Sequence, residues 1–299
     1  MQSGILLVDK PEGPSSAHVV QRVKAILGAR KVGHLGTLDP FASGLLPLGI
    51  NDGTKIADIF LTTQKSYSGV VALGVETDTQ DSTGKVLEVR DVPSLGEKEI
   101  ENLQGAFTGT LQQTPPMFSA LKRAGVRLYH LARQGQSVPR PPREIRVERL
   151  RLWRLDAAEV GFEITCSKGT YIRTLAADMG RFLGCGAHLK SLRRLACGSL
   201  TLEQAVSLKD IEVSKRGNVK IPLLSLNQAL GHLRPVCLED RSLSRLKMGQ
   251  QEVLAGLDPP KEGETTVRLV DSKDNLVALA RWVNGTTSGR WRLFRVFSY

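Results

Sequence analysis

Asp39 stands in the run His34-Leu35-Gly36-Thr37-Leu38-Asp39-Pro40-Phe41-Ala42-Ser43-Gly44-Leu45-Leu46-Pro47, where one carboxylate is set at a corner. Pro40 locks its own φ and steers Asp39 out of the helical region, while Gly36 and Gly44 offer backbone angles closed to other residues. Apolar Leu45, Leu46, Leu48 and Ile50 follow and predict a buried anchor for the corner. A carboxylate presented in this way is placed for nucleophilic or electrostatic catalysis. Asp before Pro is also common at ordinary turns, where the side chain caps its own backbone. The local pattern leaves both readings open.

Charge narrows the choice of partner. The chain carries 41 Lys+Arg against 30 Asp+Glu, a net charge of +11, and much of the excess lies in one segment. From Pro115 to Arg154 there are ten basic residues and two acidic ones, Glu144 and Glu148. Positive charge concentrated in so short a stretch favours a polyanion, nucleic acid above all. At 299 residues the chain is long enough for two domains. The apolar run Ile5–Val8 is too short for a signal peptide or a membrane span, so the cytoplasm is the expected compartment. Cys166, Cys185, Cys197 and Cys237 are irregularly spaced, without a C-x-x-C pair, and are expected to be reduced thiols, mostly in the core. Cys185 with His188 cannot supply four zinc ligands, so no metal is expected. The absence of a Walker or dinucleotide glycine motif argues against a nucleotide cofactor.

The elements that must position Asp39 follow from periodicity. Ile5–Val8 reads as a buried strand, Lys10-Pro11-Glu12-Gly13-Pro14 as a turn, and Ser15 or Ser16 as the cap of a helix that ends at Gly28. Ile56–Leu61 reads as a short helix and Lys65–Val75 as a strand carrying Tyr67. Asp78–Gly84 reads as a polar hairpin loop, because it lacks the acidic spacing of a calcium loop. Glu97–Phe107 is an amphipathic helix. Pro115-Pro116 and Pro139–Arg143 bracket a basic insertion with a short helical pattern, a clamp projecting from the body. Ile145–Leu155 and Val160–Cys166 read as paired strands. A helix then runs from Tyr171 to about Leu183, with Thr170 as its cap and its free amides open to a phosphate. Gly186–Leu200 has strand character, with basic Lys190, Arg193 and Arg194. A boundary follows Pro222–Leu230, and the tail reads as a small β-rich unit with eleven basic and eight acidic residues from His232 onward.

Five patterns then fall in one order: Asp9-Lys10-Pro11-x-Gly13, the Asp39 loop, Lys65-x-Tyr67, Pro116-x-x-Ser119-Ala120-x-Lys122, and Cys166-Ser167-Lys168-Gly169-Thr170-Tyr171-Ile172-Arg173. From residue 4 to about 225 the chain resembles the TruB-type tRNA pseudouridine synthases, with a tail similar to a PUA RNA-binding domain. One departure is Ser15, where the family usually has threonine. Both residues cap helices.

The resemblance implies isomerisation of uridine to pseudouridine at position 55 in the T-loop of tRNA, with no cofactor. It makes Asp39 the group at the anomeric carbon and Arg173 its ion-pair partner. Tyr67 would stack on the base and is a candidate for taking the carbon 5 proton. Lys10 would support the active-site loops, and His34 would fill the gap left by the flipped nucleotide. Leu192 would line the uracil pocket, and Tyr171 would lie near the nucleotide. The insertion would be the thumb with which stand-alone members grip the T-arm, led by Lys122, Arg123 and Arg127.

The expected fold is α+β: a mixed, largely antiparallel sheet with flanking helices, then a small β-barrel-like tail. The expected division is a catalytic domain at 1–228, with the thumb at 115–143, and a PUA-like domain at 229–299. Neither a membrane nor a protein partner is expected, and nothing demands more than a monomer. Two rivals are an RNA-binding protein that keeps the scaffold without using it and an RNA N-glycosidase that releases uracil. The Asp39, Tyr67 and Arg173 set argues against the first, and an unchanged RNA mass would exclude the second.

Overall fold

The computed structural model describes residues 2–123, 125–217, 221–284 and 289–297. Its centre is a ten-stranded mixed sheet. Along the main path run Val206–Ser207, Gly4–Lys10, Ser43–Ile50, Ala187–Cys197, Lys65–Leu73, Glu159–Cys166, Arg143–Arg154 and Gly109–Gln113. Leu200–Thr201 and Val32–His34 pair at the side of this path. Among the described residues, only the contacts of Gly4–Lys10 with Val206–Ser207, and of Ala187–Cys197 with Ser43–Ile50, are parallel within this sheet. The expected α+β architecture is therefore the one observed.

Local signals explain the elements beside Asp39. Ser15 caps the helix Ser16–Leu27 by accepting from the His18 amide, and Gly28 ends it in the left-handed conformation. Val19 and Val23 turn its apolar face into the core. Ser43–Ile50 is buried along nearly its whole length, as its continuous apolar run requires between two covered faces. The helix Ile172–Phe182 packs against Ala187–Cys197, with Ile172, Leu175, Ala176 and Met179 in the main core. Burying a side chain of this size contributes about 1.5–3 kcal/mol. The helix can therefore be held even with an arginine at its buried start.

At the start of that helix Thr170 is not the cap. Its hydroxyl donates to the Ser167 carbonyl, and the N-cap residue, Tyr171, has no side-chain cap bond. The Tyr171 amide donates to Gln113 Oε1 at 2.8 Å, and Gln113 Nε2 returns a bond to the Tyr171 carbonyl at 3.0 Å. The start of the helix is held by a glutamine from a distant strand and not by a local hydroxyl. The Tyr171 amide is thus not free for a phosphate.

The tail forms a four-stranded sheet of Pro235–Cys237, Thr266–Val270, Leu276–Val283 and Arg290–Val296. It has its own apolar cluster, including Leu246, Val267, Leu269 and Trp291. A second cluster joins Leu276, Leu279 and Phe297 of this sheet to Ile5, Leu7, Leu45 and Phe60. Arg295 donates to the Lys55 carbonyl and to Asp58, and Lys55 Nζ donates to the Val296 carbonyl. The tail sheet is thus packed directly beneath the strands that carry the Asp39 loop. Cys166, Cys185 and Cys197 are buried free thiols, whereas Cys237 is exposed.

Candidate active site

The Asp39 corner is a real turn and also more than one. The Ala42 amide donates to the Asp39 carbonyl at 3.2 Å, which puts Pro40 at the second position of the turn, where its fixed φ fits. The side chain goes elsewhere. Asp39 Oδ2 lies 2.9 Å from Arg173 Nε, with the arginine side chain 7 % exposed and the carboxylate 40 % exposed. The pair has a buried cationic side and an open anionic side, the geometry required of a carboxylate that must meet another molecule.

Backbone bonds around Asp39 hold the loop in place. Ser16 Oγ donates to the Leu38 carbonyl and accepts from the Leu38 amide. Lys10 Nζ donates to the carbonyls of Pro11, Pro14 and Pro40, and the Gly13 amide also donates to Pro40. This accounts for the Lys10-Pro11-x-Gly13 motif: it is a cradle for the residue after Asp39. Arg194, 1 % exposed, donates to the carbonyls of Leu45, Thr37 and Gly36 at 2.7, 3.1 and 3.0 Å. Gly44 has φ +99°, and a Cβ there would fall 2.4 Å from the Arg194 carbonyl oxygen. Gly36 does not use its freedom in the same way, since its φ is not positive. The sequence reading of two permissive glycines thus reduces to one.

Arg173 is the hub of the site. Beyond Asp39 it donates to the Thr79 carbonyl at 3.0 Å and to the Phe118 carbonyl at 2.9 Å. Its Nε is also 3.7 Å from Asp81 Oδ2, an aspartate with a 7 % exposed side chain. Asp81 Oδ1 accepts from both Thr79 and Thr83 hydroxyls and from the Thr83 amide. The Asp78–Gly84 loop, expected to be no more than a polar hairpin, supplies a second buried carboxylate to the same arginine. In the sequence neither the spacing of Asp81 nor its neighbours mark it. Only the docking of the loop on Arg173 does so.

Tyr67, Gly69, Leu192 and Arg194 share one face of the sheet, because Arg194 is paired with Tyr67 and Leu192 with Gly69. Tyr67 is half-buried, and burial pushes its phenol up to about 12, while the Arg194 cation and its hydrogen bond oppose that rise. Leu192 is 6 % exposed and belongs to the main core. Burial also raises the Tyr171 phenol, opposed by Ser119 and by the Arg143 and Arg173 charges. Lys10 is lowered to about 8, first by burial, with the Glu12 and Asp39 carboxylates acting against the shift. His34, half-buried at the end of Val32–His34, is lowered by burial and by the Arg194 charge, so it is neutral at pH 7. Its Nδ1 has no hydrogen-bond partner among the described residues.

The basic insertion lies between Gly109–Gln113 and Arg143–Arg154. It comprises the hairpin Lys122–Arg123/Val126–Arg127 and the short helix Leu128–Arg133. Lys122, Arg123 and Arg127 are exposed. The Arg127 and Arg133 guanidinium groups lie 5.9 and 5.7 Å from the Tyr129 ring centre. A cavity of about 500 Å³ lies between the base of this insertion and the helix Ile172–Phe182, lined among others by Gln80, Gln113, Met117, Arg140, Thr174 and Asp178. Asp39 is not in its wall. The described residues hold no cluster of three or more His, Cys, Asp or Glu placed for a metal, and no helix among them is long and apolar enough to cross a membrane.

Comparison with known proteins first gives the class. Over 98 % of this chain and 85 % of the other, the fold matches a chain of a Cbf5–Nop10–Gar1 complex with a TM-score of 0.72 and 25 % sequence identity. The sequence profile described as TruB family pseudouridylate synthase (N terminal domain) matches residues 24–172, and that of the tRNA pseudouridylate synthase B C-terminal domain matches residues 173–220. The chain is 42 % identical over 307 residues to tRNA pseudouridine synthase B of Geobacter sulfurreducens, covering 99 % of each protein. It is 43 % identical to the protein of the same name from Syntrophobacter fumaroxidans, covering 99 % of this chain and 97 % of that one. The chain belongs to the TruB family of pseudouridylate synthases.

Proposed function

We propose that this protein isomerises uridine to pseudouridine at position 55 in the T-loop of tRNA, acting alone and without a guide RNA. Its full-length relatives are named tRNA pseudouridine synthase B. The observation that carries the mechanism is the Asp39–Arg173 pair, a carboxylate open on one side and held by a buried guanidinium on the other.

In this reading Asp39 meets the positive charge that develops at the anomeric carbon as the bond to uracil nitrogen 1 breaks, either by bonding to the sugar or by assisting elimination. The uracil turns, and a bond forms from carbon 5 to the anomeric carbon. The carbon 5 proton leaves to Tyr67, and nitrogen 1 takes up a proton, so the product has the mass of the substrate. Arg173 keeps the carboxylate oriented, and Asp81 in turn orients Arg173. Neutral His34, with Nδ1 unpartnered, fills the space vacated by the flipped nucleotide. Lys122, Arg123 and Arg127 contact T-arm phosphates. The tail, 229–299, is a PUA-like unit that extends the RNA surface. The enzyme works as a cytoplasmic monomer with no cofactor or partner protein.

The test is an unmodified tRNA transcript tritiated at uracil carbon 5, followed by mapping of pseudouridine and RNA mass. Tritium release with unchanged mass and modification at position 55 is the expected result. Loss of uracil mass would convert the reading to an N-glycosidase, and tritium release by Asp39→Asn equal to wild type would remove Asp39 from the chemistry.

A further inference from the structure

A buried guanidinium stands between the two groups that the reaction uses. Arg194 is among the largest fully buried side chains of the protein. Its neighbour Arg193 pairs with Asp9 at 2.7 Å, whereas Arg194 directs Nε, Nη1 and Nη2 to three backbone carbonyls of the segment that contains Asp39. Gly36 and Thr37 precede the carboxylate, and Leu45 follows it, so the guanidinium grips both limbs of the loop. The same residue is paired directly with Tyr67 on the neighbouring strand, so the two side chains share one face of the sheet.

We propose that Arg194 is a positioning residue that fixes the Asp39 carboxylate and the Tyr67 hydroxyl in one frame, so that sugar-side and base-side chemistry occur at a set spacing. The proposal rests on the roles given above to Asp39 and Tyr67. Only a guanidinium suits the task, because five donors fan out in one plane and can serve acceptors on two sides. A lysine offers three donors from a single point, and an apolar residue would leave the loop carbonyls unsatisfied. The charge also has a chemical consequence: it works against the burial that raises the Tyr67 phenol, so without it the phenolate, the form that can accept a proton from carbon 5, would be rarer still. Removal of Arg194 would therefore slow the deprotonation more than it weakens RNA binding.

The experiment uses full-length Arg194→Lys and Arg194→Gln, with thermal melting, tRNA binding, kcat, and the isotope effect of deuterium at uracil carbon 5. Expected are a cooperative melt, tRNA affinity within about twofold, and a kcat lowered by roughly thirtyfold or more, as for a misplaced reacting group. The carbon 5 isotope effect should exceed that of wild type, and adding Tyr67→Phe should cost less in the variant than in wild type. A loss that only tracks the unfolded fraction, with unchanged isotope effect and additive Tyr67→Phe, would reduce Arg194 to a structural residue. Failure of both variants to fold would do the same. A fully active Tyr67→Phe enzyme would overturn the role of Tyr67 and this proposal with it.

Discussion

The Asp39 loop and the basic thumb both connect strands of the same sheet, yet they are held in opposite ways. The loop has its carbonyls tied down from outside itself: Arg194 takes Gly36, Thr37 and Leu45, and Lys10 takes Pro40. The thumb is held largely by itself, through the Leu128 amide on Leu121 and the Tyr129 amide on Ser119, and its Lys122, Arg123 and Arg127 stand in solvent. A carboxylate that must meet one carbon atom needs a fixed position, because a displacement of about 1 Å can cost a hundredfold in rate. Cations that neutralise a flexible phosphate backbone act through a longer-ranged, screened attraction and need only be present and free. On the proposed function, rigidity is invested where the chemistry would occur, and exposed charge where the RNA would be gripped.

The sharpest break in this comparison is Asp39→Asn, which should lower tritium release by at least about a thousandfold while leaving tRNA binding and folding intact. Arg173→Met comes next. It should lower activity by roughly a hundredfold or more and also destabilise the protein by about 2–4 kcal/mol, because buried Asp81 loses its cation. Equal melting of Arg173→Met and Asp39→Asn would refute that hub role. At the thumb, replacing Lys122, Arg123 and Arg127 by glutamine should weaken tRNA binding about tenfold to a hundredfold. It should also reduce the salt slope by about two, since each phosphate contact contributes roughly 0.7–0.9. Saturating tRNA should restore kcat, and a persistent kcat defect would show that the thumb cations act on the chemistry. Asp81→Asn should cost about tenfold in kcat with unchanged tRNA affinity, as expected for an aspartate that only orients Arg173.

The smallest effect is a pH dependence of stability in the cradle under Asp39. Folded Lys10 loses its proton at about 8, whereas an unfolded lysine keeps it to about 10.4. Between those values the unfolded chain binds more protons, so the Lys10 contribution to stability rises as pH rises from 8 toward 10. Denaturant melts of wild type and Lys10→Met over this range should therefore diverge in favour of wild type with increasing pH. Parallel curves would exclude the shift.

Much of the architecture was legible from periodicity, since the strands at Ile5, Tyr67, Ile145 and Val160, the Ser15 cap and the bracketed thumb all rest on local signals. The Thr170 cap fails because the helix begins one residue later, with Tyr171 as its N-cap, held by Gln113 from 58 residues away. In the sequence Asp81 is one residue of a polar loop and Arg194 one basic residue of a strand. A buried charge leaves no local mark, because its cost is met by partners from other elements.

The sequence by itself determined the corner at Asp39. Pro40 and Gly44 constrain backbone angles through covalent geometry and sterics, which act within a few residues. It also determined the excess of positive charge in the thumb. Only the tertiary structure decided which side chains close around that corner. Arg194 reaches Gly36 across 158 positions of the chain, and Arg173 reaches Thr79 across 94. Such bonds depend on the order of strands in the sheet, and that order is set by long-range pairing and shared burial rather than by any residue's own preference.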